Sequence, residues 1–175
     1  MKRLVILGAG GYGQTVADVA SQLGIYDEIV FLDDNNTDRR VIGKCEEYAE
    51  KISNETDIYP AFGNNISRID WISKIINLDG NIPTIIHPTA YISPLATIEK
   101  GTVVLPNAIV NTNVIVESGC IINCGAIIDH GCIIEKGAHI CLGAIIKAEN
   151  RIPKCMKIDA GEIIENRKYP LNGEK

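Results

Sequence analysis

The second half of the chain repeats an aliphatic residue at every sixth position. From Ile86 to Ile164 there are fourteen such positions in succession, and each holds Ile or Val. This period matches neither the about 3.6 residues of a helical turn nor the alternation of a long strand. It matches a triangular coil in which each side sends one aliphatic side chain inward and successive turns stack as parallel strands. The repeat therefore predicts a parallel β-helix.

A second repeated position lies four residues after each aliphatic one. It holds Ala, Thr, Val or Cys ten times in a row, from Ala90 to Ala144, and then Asn150 and Met156. A corner of such a coil has little room, so small side chains there indicate regular turns. We therefore expect a well-formed coil from about 86 to 149, followed by a distorted last turn or cap.

Composition narrows the classes of function. The net charge of −5 and the pI near 5.2 argue against a nucleic-acid-binding protein, which carries a basic face. The apolar runs are shorter than the roughly 20 residues that span a bilayer, so no membrane segment is expected. The apolar start leads into a glycine-rich turn rather than a cleavage site, which indicates a cytoplasmic protein.

The six cysteines lack paired ligand spacing, so we expect free thiols and no metal site.

The first eighty residues carry a different pattern. A buried-strand run, Arg3 to Leu7, is followed by a glycine-rich turn, a helical stretch to about residue 23 and a second strand, Glu28 to Leu32. Gly8, Gly10 and Gly13 have the spacing of a dinucleotide-binding turn, in which backbone amides come close to a phosphate. The strand before the turn and the helix after it strengthen this interpretation. The alternative is a glycine turn that only lets the strand and the helix pack.

Two further features belong to the same unit. The second strand ends in Asp33 and Asp34, which would accept hydrogen bonds from a ribose or a base. A third strand, Asp57 to Phe62, and a helix to about Leu78 complete one mononucleotide-binding half, which favours a nucleotide or nucleotide-sugar over NAD. We assign residues 1–82 to a Rossmann-like nucleotide-sugar-binding domain of α/β class, and residues 83–175 to the β-helix domain with its distorted cap.

A small Rossmann-like half followed by a hexapeptide coil resembles one family. The segments LGAGGYGQTVADVA, FLDDN, AFGNN and INCGAIIDHGCIIEKGAHICLGA are similar to those of bacterial sugar acetyltransferases, which include UDP-4-amino-sugar N-acetyltransferases and sialic acid O-acetyltransferases. The resemblance implies a left-handed β-helix and a homotrimer with acetyl-CoA between neighbouring coils. It also implies a UDP-sugar held by the N-terminal half. The expected acceptor is a UDP-4-amino-4,6-dideoxy sugar, and O-acetylation of a sugar or of sialic acid is the alternative.

The resemblance assigns roles to individual residues. His130 matches the catalytic base of the family, and the glycine turn, the acidic pair and the third loop match its substrate-binding segments. The expected acetyl-CoA contacts are His139, Gly143, Ala148 and Ala160, and the expected substrate contacts are Gly10, Gly11, Tyr12, Asp33, Asp34 and Gly63.

Two positions depart from the family pattern. The family commonly has an acid directly after the base, where this chain has Gly131, so Asp129 or another chain must supply the carboxylate, or none does. The glycine turn of the family often carries a histidine where this chain has Tyr12, which can hydrogen-bond but does not titrate near neutral pH.

The repeat itself predicts the surroundings of His130. The residue occupies the third position of IDHGCI, which is not an inward position, so its ring should face out of the coil. Ala148 follows eighteen residues later, one full turn, and should stack directly above His130. Histidine suits a general base because its ordinary pKa lies near the working pH, and the backbone N–H of Ala148 is a candidate donor to the oxyanion.

Two other classes of protein share features with this sequence, and one charged cluster has two interpretations. A γ-type carbonic anhydrase would bind zinc through three histidines, but the separations here, His87 to His130 and His130 to His139, do not fit its pattern. A trimeric sugar-nucleotide-binding protein without transfer chemistry is compatible with Gly131. A basic cluster near the end of the repeat could meet the phosphates of CoA or could be a solvated charged face; its members are Lys147, Arg151, Lys154 and Lys157.

Overall fold

The computed structural model describes residues 1–35 and 37–171, and the chain divides into two compact units. The first unit is Met1–Ile85, and the second begins at Ile86. The predicted second domain ends at residue 175, and its last four residues lie outside the described part of the chain.

The first unit is built on a three-stranded parallel sheet. The strands are β1 (Arg3–Leu7), β2 (Glu28–Leu32) and β3 (Thr56–Pro60), in the spatial order β2-β1-β3. Residues 4–7 of the central strand are fully buried, as expected for a parallel strand that is covered on both faces. The helices are α1 (Gly11–Gln22), a 3₁₀ helix (Cys45–Lys51) and α2 (Asn65–Ile76).

The second unit is a parallel β-helix, as the repeat predicts. Two-residue strands follow one another at six-residue intervals and form three sheets, which we call face 1, face 2 and face 3. Face 1 comprises β4 (Ile85–Ile86), β7 (Val103–Val104), β10 (Ile121–Ile122), β13 (His139–Ile140) and β16 (Lys157–Ile158). Face 2 comprises β5 (Tyr91–Ile92), β8 (Ile109–Val110), β11 (Ile127–Ile128), β14 (Ile145–Ile146) and β17 (Ile163–Ile164). Face 3 comprises β6 (Thr97–Ile98), β9 (Ile115–Val116), β12 (Ile133–Ile134) and β15 (Arg151–Ile152).

The inward aliphatic residues form the core of the coil. From Val104 to Ile164 each of them is at most 2% exposed. Burying one such side chain contributes about 1.5–3 kcal/mol, and the contribution recurs on every side of every turn. Each strand pairs with the strand of the same face one turn later, for example Ile127 with Ile145. The stacked aliphatic rows therefore determine the register of the whole coil.

The prediction that the regular coil ends near residue 149 is wrong. The last three strands, β15, β16 and β17, pair in the same register with β12, β13 and β14. The inward residues Ile152, Ile158 and Ile164 continue the aliphatic stack, which is sufficient to continue the coil even though the corner positions now hold larger or polar residues. The chain then folds back, and Pro170 forms an antiparallel bridge with Asn150.

Candidate active site

The loops after β1, β2 and β3 carry the predicted substrate-binding residues of the first unit. Because carboxyl ends of parallel strands lie at one edge of a sheet, the structure places Gly10, Gly11, Asp33 and Gly63 along the same edge. The amide of Ala9 in the glycine turn donates to Asp33 Oδ2 at 2.7 Å. This bond ties the turn after β1 to the end of β2.

Gly13 is needed because α1 packs against the turn. A Cβ at this position would overlap the carbonyl oxygen of Gly8, which is backbone and cannot move away easily. At Gly10 a Cβ would meet nothing within 4 Å, and that residue is exposed.

We expect Gly13→Ala to destabilise the protein by about 1–3 kcal/mol, the usual cost of forcing an extra methyl group into a packed site. Chemical denaturation of the purified variant measures this change. Gly10→Ala is the matched control and should leave the free energy of unfolding within about 0.5 kcal/mol of the unsubstituted protein. Equal stabilities of the two variants would contradict the steric role of Gly13.

An open groove of about 400 Å³ lies beside the glycine turn and is lined by Gly10, Asp33, Asn35 and Thr37. Both carboxylate oxygens of Asp33 accept backbone amides, one from Ala9 and one from Asn35 at 2.9 Å. Asp33 therefore shapes the groove as well as lining it. The second member of the predicted acidic pair, Asp34, accepts the amide of Cys45 at 3.2 Å, at the start of the 3₁₀ helix.

Three residues near the groove were missed by sequence reasoning. Gln14 of α1 donates to the carbonyl of Ala9 at 3.2 Å and to Asp38 Oδ2 at 3.3 Å. Arg40 pairs with Asp38 at 3.2 Å, also donates to Gln14, and lies over the ring of Phe31 at 4.8 Å from its centroid. No sequence spacing signals this cluster, because its members come from a helix and a loop that meet only in the folded unit.

Hydrogen bonds from Arg40 lower the pKa of Asp38 from its ordinary value to about 2. A carboxyl group with a depressed folded-state pKa stabilises the fold above its unfolded pKa, and this contribution is lost as the pH falls through the folded value. We therefore expect Asp38→Asn to destabilise the protein at pH 7, and the difference to shrink as the pH is lowered from about 4 towards 2. Urea denaturation of both proteins across this range measures it. A difference that is independent of pH would contradict the pairing with Arg40.

Tyr12 turns its hydroxyl into the unit. The hydroxyl oxygen lies 2.9 Å from that of Tyr59, which is fully buried on β3. Burial, together with the neighbouring Tyr59, raises the pKa of Tyr12 well above its ordinary value. The nearby Arg68 is also fully buried, and its guanidinium donates to the carbonyl of Phe62 and to Asn65. Tyr12 is therefore a neutral hydrogen-bonding group, as its side chain predicts.

In the second unit, His130 lies at the corner between face 2 and face 3, immediately after β11. Its side chain is 56% exposed, so the ring faces out of the coil as predicted. Nδ1 lies 3.0 Å from Asp129 Oδ1, and the same oxygen accepts the His130 amide at 2.7 Å. A carboxylate can only accept, so the proton of the ring is on Nδ1 and the lone pair of a neutral imidazole is on Nε2. The neighbouring acid that the sequence lacks at Gly131 is supplied by Asp129.

The carboxylate of Asp129 is held in its ionised form. The amide and then the imidazole of His130 donate hydrogen bonds to it and lower its pKa, and Asn111 Nδ2 donates a further one at 3.3 Å. Asn111 lies one turn below Asp129, a spacing of eighteen residues. That spacing was the signal that could have identified Asn111 from the sequence.

His139 stands elsewhere on the coil. It belongs to β13 of face 1, and Nε2 lies 3.2 Å from Asn123 Nδ2. The oxygen of Asn123 accepts the Cys124 amide at 2.8 Å, so its nitrogen faces the ring and can only donate. His139 Nε2 is therefore the acceptor, and the ring proton is on Nδ1. His130 and His139 lie at opposite ends of face 3, and one coil does not bring them together.

The other predicted cofactor contacts are spread around the same turns. Gly143 and Ala160 lie at corners between face 1 and face 2, one turn apart, and a Cβ at Gly143 would meet nothing within 4 Å. Ala148 lies directly above His130, as the register of β11 with β14 requires, and is 6% exposed. In the described part of the chain the Ala148 amide donates no hydrogen bond.

The four basic residues near the end of the repeat do not form one patch. Lys147 lies at the corner between face 2 and face 3, and Arg151 lies on face 3. Lys154 lies at the corner between face 3 and face 1, and Lys157 lies on face 1. Lys147 pairs with Glu165 and Arg151 with Glu135, both at 2.5 Å. Lys157 lies 3.5 Å from Asp159. This arrangement favours a solvated, ion-paired surface over a single phosphate-binding site.

All six cysteines are free thiols. Among residues 1–35 and 37–171 there is no cluster of His, Cys, Asp or Glu that could hold a metal ion. In the same residues no helix has the length and apolar character required to cross a bilayer.

Comparison with known proteins agrees with this geometry. Residues 3–75 match the family described as the PglD N-terminal domain. The acetyltransferase domain of PglB from Neisseria gonorrhoeae is 35% identical, with a TM-score of 0.92, and the match covers 95% of this chain and 84% of that one. The same domain has been solved in complex with acetyl coenzyme A. A perosamine N-acetyltransferase from Caulobacter crescentus, solved with CoA and GDP-perosamine, is 18% identical with a TM-score of 0.80. The match covers 95% of this chain and 90% of that one, and it shows that the two proteins share the fold.

A Rossmann-like half joined to a left-handed parallel β-helix with an outward-facing histidine is the architecture of hexapeptide-repeat acyltransferases. The identity and coverage make the relationship specific. The chain belongs to the bacterial sugar acetyltransferase family of the hexapeptide-repeat type and is an acetyltransferase.

Proposed function

We propose that the protein transfers the acetyl group of acetyl-CoA to the amino group of a UDP-4-amino-4,6-dideoxy sugar, with His130 as the general base. The observation that carries the proposal is the Asp129–His130 pair, in which the carboxylate lies 3.0 Å from Nδ1 and so directs the lone pair of the ring to Nε2. A base must present such a lone pair to the attacking group. The outward direction of the ring makes it accessible to a substrate.

The reaction follows from these groups. Nε2 of His130 takes a proton from the sugar amine as the nitrogen attacks the carbonyl carbon of the thioester. The amide of Ala148 donates to the oxygen of the tetrahedral intermediate, where negative charge develops. The C–S bond then breaks, and the protonated imidazole returns the proton to the sulfur of CoA. Asp129 stabilises the imidazolium between these two steps.

The N-terminal unit binds the nucleotide part of the substrate. The groove beside Gly10 and Asp33 offers exposed backbone at the start of α1, whose positive dipole end favours phosphate. Gly11, the backbone of Tyr12, Asp34 and Gly63 complete the proposed set of contacts, since the hydroxyl of Tyr12 is directed to Tyr59. The perosamine N-acetyltransferase, which was solved with GDP-perosamine, supports an amino-sugar acceptor, and the complete glycine turn supports a nucleotide-linked one. With six free thiols, we assign the reaction to the reducing cytoplasm.

A homotrimer accounts for the distribution of the proposed acetyl-CoA contacts. His130 and Ala148 lie at one corner of the coil, while His139, Gly143 and Ala160 lie on face 1 or at another corner. These groups can meet around one thioester only if neighbouring copies contribute different corners. The outward residues of face 2 supply an apolar surface for such contacts: Tyr91 (54% exposed), Ile109, Ile127, Ile145 and Ile163 (50% exposed).

The deciding experiment measures CoA thiol release from acetyl-CoA with three acceptors: a UDP-linked 4-amino-4,6-dideoxy sugar, a GDP-linked 4-amino sugar and free sialic acid. Mass spectrometry of the product identifies the acetylated atom. We expect turnover with the UDP-linked amine and an N-acetyl product. Turnover with sialic acid alone would replace the proposal by O-acetylation, and no turnover with any acceptor would identify a binding protein without transfer chemistry.

A further inference from the structure

Asn150 is a buried amide at an inward corner position. The preceding inward corner positions hold small residues, whereas Asn150 is fully buried and polar. Its Nδ2 donates to the carbonyls of Lys147 at 2.8 Å and Glu165 at 2.9 Å, and lies 3.5 Å from that of Ala148. Its Oδ1 accepts the amide of Tyr169 at 2.9 Å. All polar atoms of the side chain are therefore satisfied inside the coil.

The corner that contains Asn150 differs from the others. Among the described residues, the other corners of the coil are turns, many of them closed by a backbone hydrogen bond such as that from the Ala138 amide to the Glu135 carbonyl, whereas Ala148 and Glu149 form an open bend. This open corner lies directly above His130, and the amide of Glu149 donates to the His130 carbonyl at 3.2 Å. The exception in the repeat thus coincides with the proposed reaction site.

Other corners of the coil show which contact keeps the corner at Ala148 open. The thiol of Cys120 donates to the carbonyl of Glu135 at 3.2 Å, yet the amide of Ala138 still closes that turn at 3.1 Å. At the open corner, the thiol of Cys132 contacts the Lys147 carbonyl in the same way. Since the equivalent contact from Cys120 leaves its corner closed, the thiol is not what opens the corner at Lys147.

A polar inward side chain is not sufficient either. Thr102 donates to the Glu117 carbonyl of the next turn at 3.1 Å, and the corner before Thr102 is a turn rather than an open bend. What distinguishes Asn150 is its second hydrogen bond, from Nδ2 to the carbonyl of its own corner, Lys147. That carbonyl is the acceptor which the closing amide of the turn would otherwise use.

The bond to Lys147 also fixes the proposed oxyanion donor. The Lys147 carbonyl and the Ala148 N–H belong to one planar trans peptide, in which the two groups point in opposite directions. Because Asn150 holds the carbonyl towards the inside of the coil, the N–H is directed outward, the side on which the His130 ring lies. We propose that Asn150 is a positioning residue for acetyl transfer, which keeps the corner open and orients the Ala148 amide above His130. This inference rests on the proposed function.

Asn150→Thr is the test, because threonine can keep the bond to Glu165, as Thr102 does to Glu117, but cannot retain the bond to Lys147. We expect kcat to fall by about 10- to 100-fold while the KM for acetyl-CoA stays within about twofold, since an oxyanion donor acts mainly in the transition state. A crystal structure of the variant should show a closed turn at residues 147–150. Asn150→Ala, which loses both bonds, should be less stable than Asn150→Thr but have a similar kcat.

A purely structural role makes a different prediction, namely that kcat follows stability. Ile158→Ala is the control: it removes a buried side chain from the last turn, on face 1 opposite this corner, and should lower Tm with kcat within about twofold. A closed corner in Asn150→Thr with kcat within twofold of the unsubstituted protein would overturn the inference alone. An open corner in that variant would also overturn it. Lack of transfer by the unsubstituted protein would instead refute the proposed function, and the inference with it.

Discussion

Replacing His130 by Ala is expected to lower kcat for acetyl transfer by about 10²–10⁴-fold, the usual contribution of a general base. The residue presents Nε2 to solvent while Asp129 holds Nδ1, so the ring is oriented to take the proton of the attacking amine. Thiol release from acetyl-CoA at saturating acceptor measures the change. The KM for acetyl-CoA should change much less, because the ring acts on the proton of the acceptor amine.

Lys100→Ala is the matched control for this experiment. Lys100 occupies the same position of the repeat as His130, is exposed and lies at a different corner, so its variant should retain kcat within about twofold. Tm measurements on both variants separate chemistry from folding. An activity of His130→Ala within tenfold of the unsubstituted protein would remove His130 from the role of base.

Ile127→Glu should convert the proposed trimer into monomers and abolish measurable transfer. Ile127 lies at the centre of the outward apolar row of face 2, directly before the corner that carries His130. A carboxylate at this position would have to be desolvated without a partner in an apolar interface, which costs several kcal/mol for each copy. Light scattering coupled to gel filtration measures the mass of the particle, and the thiol assay measures the activity.

Thr97→Glu provides the comparison. Thr97 is an exposed outward residue of β6 on face 3, so a carboxylate there should leave both the mass and the activity unchanged. Mixed trimers of His130→Ala and His139→Ala chains test the shared site directly, since some interfaces would then carry both intact histidines and recover activity. If the unsubstituted protein is a monomer that nevertheless turns over, the proposed site between copies is wrong.

The architecture of the coil could be predicted from sequence because its physical cause is local and repeated. One Ile or Val every six residues, from Ile86 to Ile164, contributes the same burial on each side of each turn. The error at the end of the coil has the same origin. The corner residues Asn150 and Met156 were given more weight than the aliphatic row, although it is the aliphatic row that determines stacking.

The glycine turn could also be predicted from the sequence, because the close packing of a helix on the strand before it requires a glycine at position 13. The cluster of Gln14, Asp38 and Arg40 could not be predicted in this way, since contacts between long polar side chains on separate elements produce no periodic pattern in the sequence. Tyr12 was correctly seen as a hydrogen-bonding residue, but its partner Tyr59 is a fully buried strand residue and could have been assigned to the core alone.

The sequence by itself determined the two kinds of structural unit, the stacking register of the coil and the outward direction of His130, because each depends on a spacing that is constant along the chain. Only the tertiary structure decided which carboxylate meets Nδ1, that His139 stands on another face, and that the corner at Ala148 is open. These outcomes depend on the competition between individual hydrogen bonds for one carbonyl or one carboxylate oxygen. Such competition is resolved by distances of a few tenths of an ångström, which no residue pattern records.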